Sequence, residues 1–491
     1  MNGTFLLLPV LFPMVMGIVS YFFPFSPVNL RRRHLFFGIV IGLNTLLTWT
    51  AIFLCDGAAV TFLRFSDTLT LMFHLDQAGR IFAGLSSALW PVTMVYAYDY
   101  MSHYKEDVRH LNAFWSFFTA AFGVTLGIAF AGNLLTMYVF YEFLTLTTLP
   151  LVMFVMGKRS IKAGEKYLLY SMSGAALGFI GLVFLIGQNA QTFVYGGHLA
   201  GYTGNVTLAL AVFTLSFLGF GVKAALWPFH DWLPSAAIAP TPVTALLHAV
   251  AVVKAGAFAC IRLTYYAFGT EFLRGTWAQT AVMTLAAVTI VYGSAMALKQ
   301  QHFKRRLAYS TISNLSYILF AAALMTPEGL LAAWVHLVTH SVIKLMCFFA
   351  AGSVLHYAER EFLDELEGLG RKMPVTFACF TVGACALTGI PPFNGFVSKW
   401  YIALAALRQG GTMALVGFGA VLLSALLTAM YMFQTVISAW FPRRGFALPE
   451  NARESSPLMW VPMVLMAGLC LVMGLVPGGF IDFLGKAVTL G

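Results

Sequence analysis

Runs of about twenty apolar residues recur along the whole chain, the length an α-helix needs to cross ~30 Å of hydrocarbon. They predict fourteen membrane-spanning segments, near residues 4–24, 34–55, 76–98, 112–131, 133–155, 166–187, 207–229, 241–265, 276–298, 303–325, 329–356, 374–407, 412–440 and 457–480. The stretches between them are too short for a soluble domain of useful size. The expectation is an all-α polytopic protein whose residues 1–491 form a single integral membrane domain. Composition agrees: 59% of the residues are hydrophobic and 10% charged, far more apolar surface than a soluble core of this size needs.

Two segments are interrupted. The seventh contains Gly219-Phe-Gly-Val-Lys-Ala-Ala-Leu-Trp-Pro-Phe-His-Asp-Trp-Leu-Pro234, and the twelfth contains Thr388-Gly-Ile-Pro-Pro-Phe-Asn-Gly-Phe-Val-Ser-Lys399. Proline removes a backbone donor and clashes with the preceding turn, so neither can be a continuous helix. Both share Pro-Phe-[His/Asn]-[Asp/Gly], at 228–231 and 392–395, with a lysine nearby. Five segments separate them, and a tandem copy of an odd number of crossings must be upside down. Segments 4–8 (112–265) and 9–13 (276–440) therefore read as two inverted five-helix repeats with broken helices 7 and 12, a transporter architecture.

The net charge of +10 reflects topology and not a nucleic-acid surface. Nineteen Lys/Arg fall after odd-numbered segments, among them Arg31 to Arg33, Lys105, Arg109, Lys158, Arg159, Lys162, Lys166, Lys299, Lys304, Arg305, Arg306, Arg371, Lys372, Arg443 and Arg444. Only six lie on the other side: Arg64, Arg80, Arg262, Arg274, Arg408 and Lys486. The positive-inside bias then puts both termini on the non-cytoplasmic side of a cell (inner or plasma) membrane, in a prokaryote. With its basic residues after it, the first segment reads as a retained span and not a cleaved signal. Loop 357–373, rich in both charge signs, reads as a solvated inner loop, with partner docking as the alternative. The 188–206 loop, with no Lys, Arg, Asp or Glu, is expected at the interface. The six cysteines form no C-x-x-C pair and read as core filler.

Four lysines remain inside spans, Lys223, Lys254, Lys344 and Lys399, joined by Glu142, His248, His336 and His340. A charged side chain at a bilayer centre costs about 2.5–3.5 kcal/mol on insertion scales, so each is a functional candidate. Burial disfavours a charged carboxylate and a nearby ammonium restores it, which makes Lys223 the natural partner of Glu142. His336, His340 and Lys344 are four apart and project from one face over ~12 Å of helix. His248 and Lys254 share the eighth segment, where a satisfied core histidine is a serious rival reading for His248. Lys399 lies in the outer half, where snorkelling to the interface is the plain reading. Two histidines on one face cannot clamp a haem, and the Glu of H-E-x-x-H is missing. No cofactor and no metal are expected.

At these residues the chain resembles the antiporter-like membrane subunits shared by respiratory complex I, Mrp-type cation/proton antiporters and membrane-bound hydrogenases. The resemblance covers segments 3 to 14. It rests on Tyr141-Glu142, Gly221-Val-Lys223 with Trp227 to Pro234, Ala239 to His248, Lys304 to Leu315, His336-x-x-x-His340-x-x-x-Lys344 and Gly389-Ile-Pro-Pro-Phe-x-Gly395. It implies Glu142–Lys223 as a coupling pair, Lys254 with the His336–His340–Lys344 face as a central relay, and Lys399 as the terminal lysine. Three departures from relatives stand out: about ten residues follow the last span where the largest complex I subunit has a long lateral helix, 167–187 lacks a carboxylate, and Lys399 replaces a glutamate of one relative.

The expected function is translocation of H⁺, and possibly Na⁺, by a non-redox subunit among other membrane subunits. The complex would be a redox-driven pump (NADH:quinone reductase or hydrogenase type) or a non-enzymatic Mrp-type antiporter. A free-standing solute transporter and a redox subunit binding quinone remain alternatives; an intact-assembly mass would separate the first from a carrier purified by itself.

Overall fold

The computed structural model describes residues 3–23, 30–55, 57–104, 108–443 and 451–489. Lys105 and Arg444 of the charge count, and the C-terminal Gly491, lie outside the described residues. The helices are α1 (Leu7–Phe22), α2 (Leu30–Leu54), α3 (Gln77–Tyr100), α4 (Val108–Ala129), α5 (Leu134–Val152), α6 (Lys158–Gly187), α7 (Val206–Lys223), α8 (Trp232–Ala236), α9 (Thr241–Ala249) and α10 (Val252–Arg262). They continue as α11 (Thr270–Leu273), α12 (Trp277–Lys299), α13 (Phe303–Ala323), α14 (Pro327–Ala358), α15 (Pro374–Thr388), α16 (Asn394–Gln409), α17 (Thr412–Trp440), α18 (Pro457–Leu475) and α19 (Gly478–Thr489).

Twelve helical spans among the described residues are long and apolar enough to cross a membrane. Two expected segments fall outside that set. One is α13, which opens on Lys304-Arg305-Arg306 and is rich in Ser, Thr, Tyr and Asn. The other is 374–407, which is split into α15 and α16. The long α14 forms the axis of the bundle, packing against α3, α9, α13, α15, α16 and α18, and 94% of its most apolar window is buried. At the periphery, α17 buries little of its most apolar stretch, and Leu422, Leu426 and Met430 stand exposed. A helix leaves such an apolar face uncovered where lipid covers it.

Several expectations change. The stretch after α2 is a β-hairpin, Ala59–Arg64 paired antiparallel with Thr70–His74, clamped by the Asn133 side-chain amide donating to the Thr70 carbonyl at 2.8 Å. The chain is helical elsewhere but not purely so. Helix α6 begins eight residues before its expected start, so Lys158, Arg159, Lys162 and Lys166 belong to its first turns and not to a loop; Lys166 pairs with Asp231. The eighth segment is also broken: Val250 and Ala251 both donate to the Leu246 carbonyl (3.0 and 2.8 Å). That widened turn separates α9 from α10, and α10 itself runs on as a π-helix over Leu263–Phe268. Such insertions concentrate at functional sites. The Val-Ala-Val-Val run carries no Gly or Pro to announce the widened turn. Loop 188–205 lies over that π-helical end, Val194 donating to Tyr266 and His198 to Ala267. Loop 359–373 is anchored by buried Leu363, Leu366 and Leu369.

Candidate functional site

Helix α5 starts at an Asn133 N-cap that accepts from the Thr136 amide at 2.8 Å, which places Glu142 in its middle. Helix α7 starts at an Asn205 cap and stops at Lys223. Its last carbonyls, which a helix end leaves unpaired, are taken up locally. Tyr141 donates its hydroxyl to the Phe220 carbonyl (2.9 Å), Leu226 its amide to Gly221 (3.0 Å), and Trp232 its indole N–H to Val222 (2.8 Å). The break after Lys223 is therefore an ordered turn. A cation at this C-terminal end also suits the helix dipole.

The Lys223 ammonium reaches across to α5. It lies 3.3 Å from a Glu142 carboxylate oxygen, donates to the Tyr141 carbonyl, and sits 3.4 Å from the centroid of the Tyr141 ring. Lys223 is 1% exposed and Glu142 20%; beside Glu142 a cavity of about 320 Å³ opens between α5 and α6, lined by Tyr138, Thr145 and Met172. Gly256 permits the next contact, because a Cβ there would lie 2.4 Å from the Ala224 nitrogen. Helix α10 thus packs directly against the end of α7.

On α10 the Lys254 ammonium lies 2.5 Å from His340 Nδ1, joining the eighth and eleventh segments. The His336 and His340 rings stack at 5.7 Å on the shared face of α14, and His336 Nδ1 meets the Ser398 hydroxyl at 2.9 Å. Lys344 continues the same face but donates to the Leu307 carbonyl of α13 at 3.1 Å. His248 packs on the Phe348 ring at 4.5 Å, and neither of its ring nitrogens has a hydrogen-bond partner among the described residues. The same holds for Nε2 of His336 and of His340. These sites are buried, and a buried polar group left unpaired costs about 1–3 kcal/mol.

Lys399 does not snorkel outward. The break that precedes it ends α15 in a Schellman turn, with Gly389 at φ 93° and the Ile390 amide on the Cys385 carbonyl at 3.0 Å. Gly395 lets α16 start against that end, since a Cβ would meet the Ala386 oxygen at 1.7 Å. Lys399 then folds back, donating to the Leu387 and Thr388 carbonyls at 2.8 and 2.9 Å below the Tyr317 ring.

Among the basic residues counted with the loops, Arg33, Lys304, Arg306 and Arg262 are buried instead. Lys304 donates to the Ala239 carbonyl at 3.0 Å, Arg306 is 1% exposed, and Arg262 is bound by both carboxylate oxygens of Asp76. Apolar neighbours on both sides in sequence would have flagged Arg262. For Lys304 and Arg306 the signal was weaker: only the exposed Arg305 between them behaves as a loop charge. The bias of basic residues toward one side survives their removal.

A family described as NADH:quinone oxidoreductase/Mrp antiporter, TM, matches residues 131–428, a range that holds every candidate residue above. NADH-quinone oxidoreductase subunit L of Mycobacterium tuberculosis is 33% identical over 397 residues, covering 80% of this chain and 61% of the relative. The chain thus spans under two thirds of that relative's length. Subunit N of the corresponding Desulforudis audaxviator enzyme is 31% identical, covering 78% of this chain and 77% of the relative. A chain of the archaeal membrane-bound sulfane sulfur reductase superposes with a TM-score of 0.84 at 24% identity, over 99% of this chain and 97% of that one, which shows the fold. The chain is a membrane protein that belongs to the NADH:quinone oxidoreductase/Mrp antiporter family of transmembrane subunits.

Proposed function

We propose that the chain is an ion-translocating, antiporter-like subunit of a multi-subunit membrane complex. In this reading it moves protons along Glu142, Lys223, Lys254, His340, His336 and Lys399, with His248 and Lys344 flanking the path. The observation that carries it is the Lys223–Glu142 contact of 3.3 Å between a fully buried ammonium and a carboxylate at the edge of a cavity. The Lys254–His340 contact supports the central relay. While Glu142 is near, its charge favours the ammonium of Lys223; when it turns away, burial favours the neutral amine and the proton leaves. The ring nitrogens of His248, His336 and His340 that lack protein partners are where water would complete the path.

The same reading gives fourteen crossings arranged as two inverted repeats, 112–265 and 276–440, both termini outside the cytoplasm, and a prokaryotic plasma membrane. The fold of α7 and of the α15–α16 pair supports it, each carrying a lysine next to an ordered break.

Flux in proteoliposomes holding the assembled complex tests the reading. Lys223→Met keeps much of the stem without the charge and is expected to abolish translocation while assembly persists. Lys223→Arg is expected to be impaired as well, because a guanidinium does not release its proton. Full flux in Lys223→Arg would make Lys223 a fixed charge. Running the assay with and without Na⁺ identifies the ion.

A further inference from the structure

Helices α12, α13 and α17 enclose a polar feature that the relay does not use. On α13, Arg306, Ser310, Ser313 and Tyr317 fall at i, i+4, i+7 and i+11; on α17, Ser424, Thr428, Tyr431 and Thr435 repeat that spacing. Each set lines one face of its helix, and the two faces meet antiparallel. Ser424 Oγ lies 2.9 Å from both the Tyr317 hydroxyl and Ser313 Oγ, and Ser294 of α12 closes the group at 2.6 Å from Ser424 and 2.8 Å from Ser313. One turn away the Tyr431 hydroxyl meets Ser310 Oγ at 2.7 Å and Thr428 Oγ1 at 3.1 Å. The hydroxyls thus line ~16 Å of helix at ~1.5 Å per residue, all of them buried.

At one end of this hydroxyl array the Tyr317 ring lies 5.1 Å from the His336 ring and 5.5 Å from the Lys399 ammonium. At the other end stands Arg306, and next to it a cavity of about 610 Å³ is lined by Gln434, Asp364, Glu367 and Arg443. The cavity sits where α13 begins and α17 ends, the side that carries most of the loop Lys and Arg.

Arg306 is held unlike the comparably buried Arg262. Arg262 has the Asp76 carboxylate. Among the described residues, the Arg306 guanidinium bonds only neutral acceptors: the Tyr431 carbonyl at 2.8 Å, Gln434 Oε1 at 3.1 Å, Thr435 Oγ1 at 3.3 Å, and the Gln300 and Leu298 carbonyls. Its positive charge is therefore held in place at the end of the hydroxyl array with no carboxylate paired to it among the described residues, although Asp364 and Glu367 line the adjacent cavity. A fixed cation in a narrow, low-dielectric path is a barrier to protons and metal cations alike.

We propose that Arg306 is an electrostatic plug that closes a passage along this array between α12, α13 and α17, so that ions in the adjacent cavity do not reach the Tyr317–His336–Lys399 region. The proposal rests on reading those residues as part of an ion path, but its test needs no driving reaction. The complex in proteoliposomes, without substrate, is given a potassium diffusion potential, and internal pH is followed with a trapped dye. Wild type is expected to leak no faster than protein-free vesicles. Gln434→Glu places a carboxylate on the guanidinium in an isosteric change and is expected to raise the passive proton leak by roughly tenfold or more, a factor equivalent to about 1.4 kcal/mol of barrier. Arg306→Gln is expected to do the same, and Ser313→Ala with Ser424→Ala added to Gln434→Glu to bring the leak back down. Assembled Gln434→Glu complex as tight as wild type would overturn the plug, as would a leak that the two alanines leave unchanged. Loss of driven flux in Lys223→Met is a separate outcome, so either idea can fail without the other.

Discussion

The four lysines inside the expected spans have the same side chain and three different surroundings. Lys223 meets a carboxylate, Lys254 a histidine nitrogen, and Lys344 and Lys399 backbone carbonyls, Lys399 facing the Tyr317 ring as well. Only Lys223 has a partner whose departure would remove a compensating charge, which is why it is the residue to substitute first. A milder titration belongs to loop 359–373. There the Phe362 and Glu361 amides both donate to one oxygen of Glu365 at 3.0 Å. The Phe362 amide, followed by the Glu361 amide and Arg360, holds that carboxyl below the usual carboxylate range. A depressed carboxyl stabilises the folded loop above the unfolded value of about 4.3 and stops doing so as pH falls through the folded value. Hydrogen-exchange protection of the two amides is therefore expected to drop on acidification below about pH 4. In Glu365→Gln it is expected to be low and flat with pH; a parallel acid loss in that variant would assign the effect to another group.

At the scale of elements, charge serves as a fastener as well as a candidate carrier. Arg262 joins the end of α10 to Asp76, which also caps α3 by accepting from the Gly79 amide at 2.8 Å, and the aromatic rings of Phe193, Phe258 and Tyr266 surround the guanidinium. Removing one partner of such a pair leaves a buried charge alone, at a cost of about 3–5 kcal/mol. Arg262→Met is expected to lower the thermal stability of the detergent-solubilised complex strongly, and Asp76→Asn added to it to recover part of the loss. No recovery in the double variant would mean that the arginine acts through packing alone. The helix breaks follow a parallel rule: where Pro or Gly ends a helix, nearby side chains and amides supply what the backbone loses. The Trp232 indole does so after α7, and Lys399 after α15.

Over the whole molecule, apolar faces turned outward and polar groups gathered along α14 are what a bilayer imposes, since unpaired polar groups have no water there. The side on which each loop lies is expected to follow from the basic residues. A membrane-impermeant thiol reagent applied from the non-cytoplasmic side is expected to miss a cysteine at Glu365 and to label one at the exposed Gly201, or at Gly491, which lies outside the described residues. The reverse pattern would invert the topology and sink the fourteen-crossing arrangement.

Hydrophobic length and proline placement were enough to show the membrane class, most helices and both Pro-containing breaks, and charge within apolar runs marked the proposed carriers from Glu142 to Lys399. Those signals are local: twenty apolar residues must be helical in lipid, and a charge among them is conspicuous in one dimension. The widened turn at Val250–Ala251 was not legible, because no residue there breaks a helix; it comes just before α10 packs on the end of α7 at Gly256. Nor could spacing tell that Lys254 would meet His340, that Lys344 would turn to α13, or that Lys399 would fold back onto α15. Each ammonium has a reach of several ångströms and several acceptors within it, and only the approach of a second helix chooses one. Arg306 shows the same limit most plainly: a basic residue at a helix start reads as a loop charge until α17 closes over it.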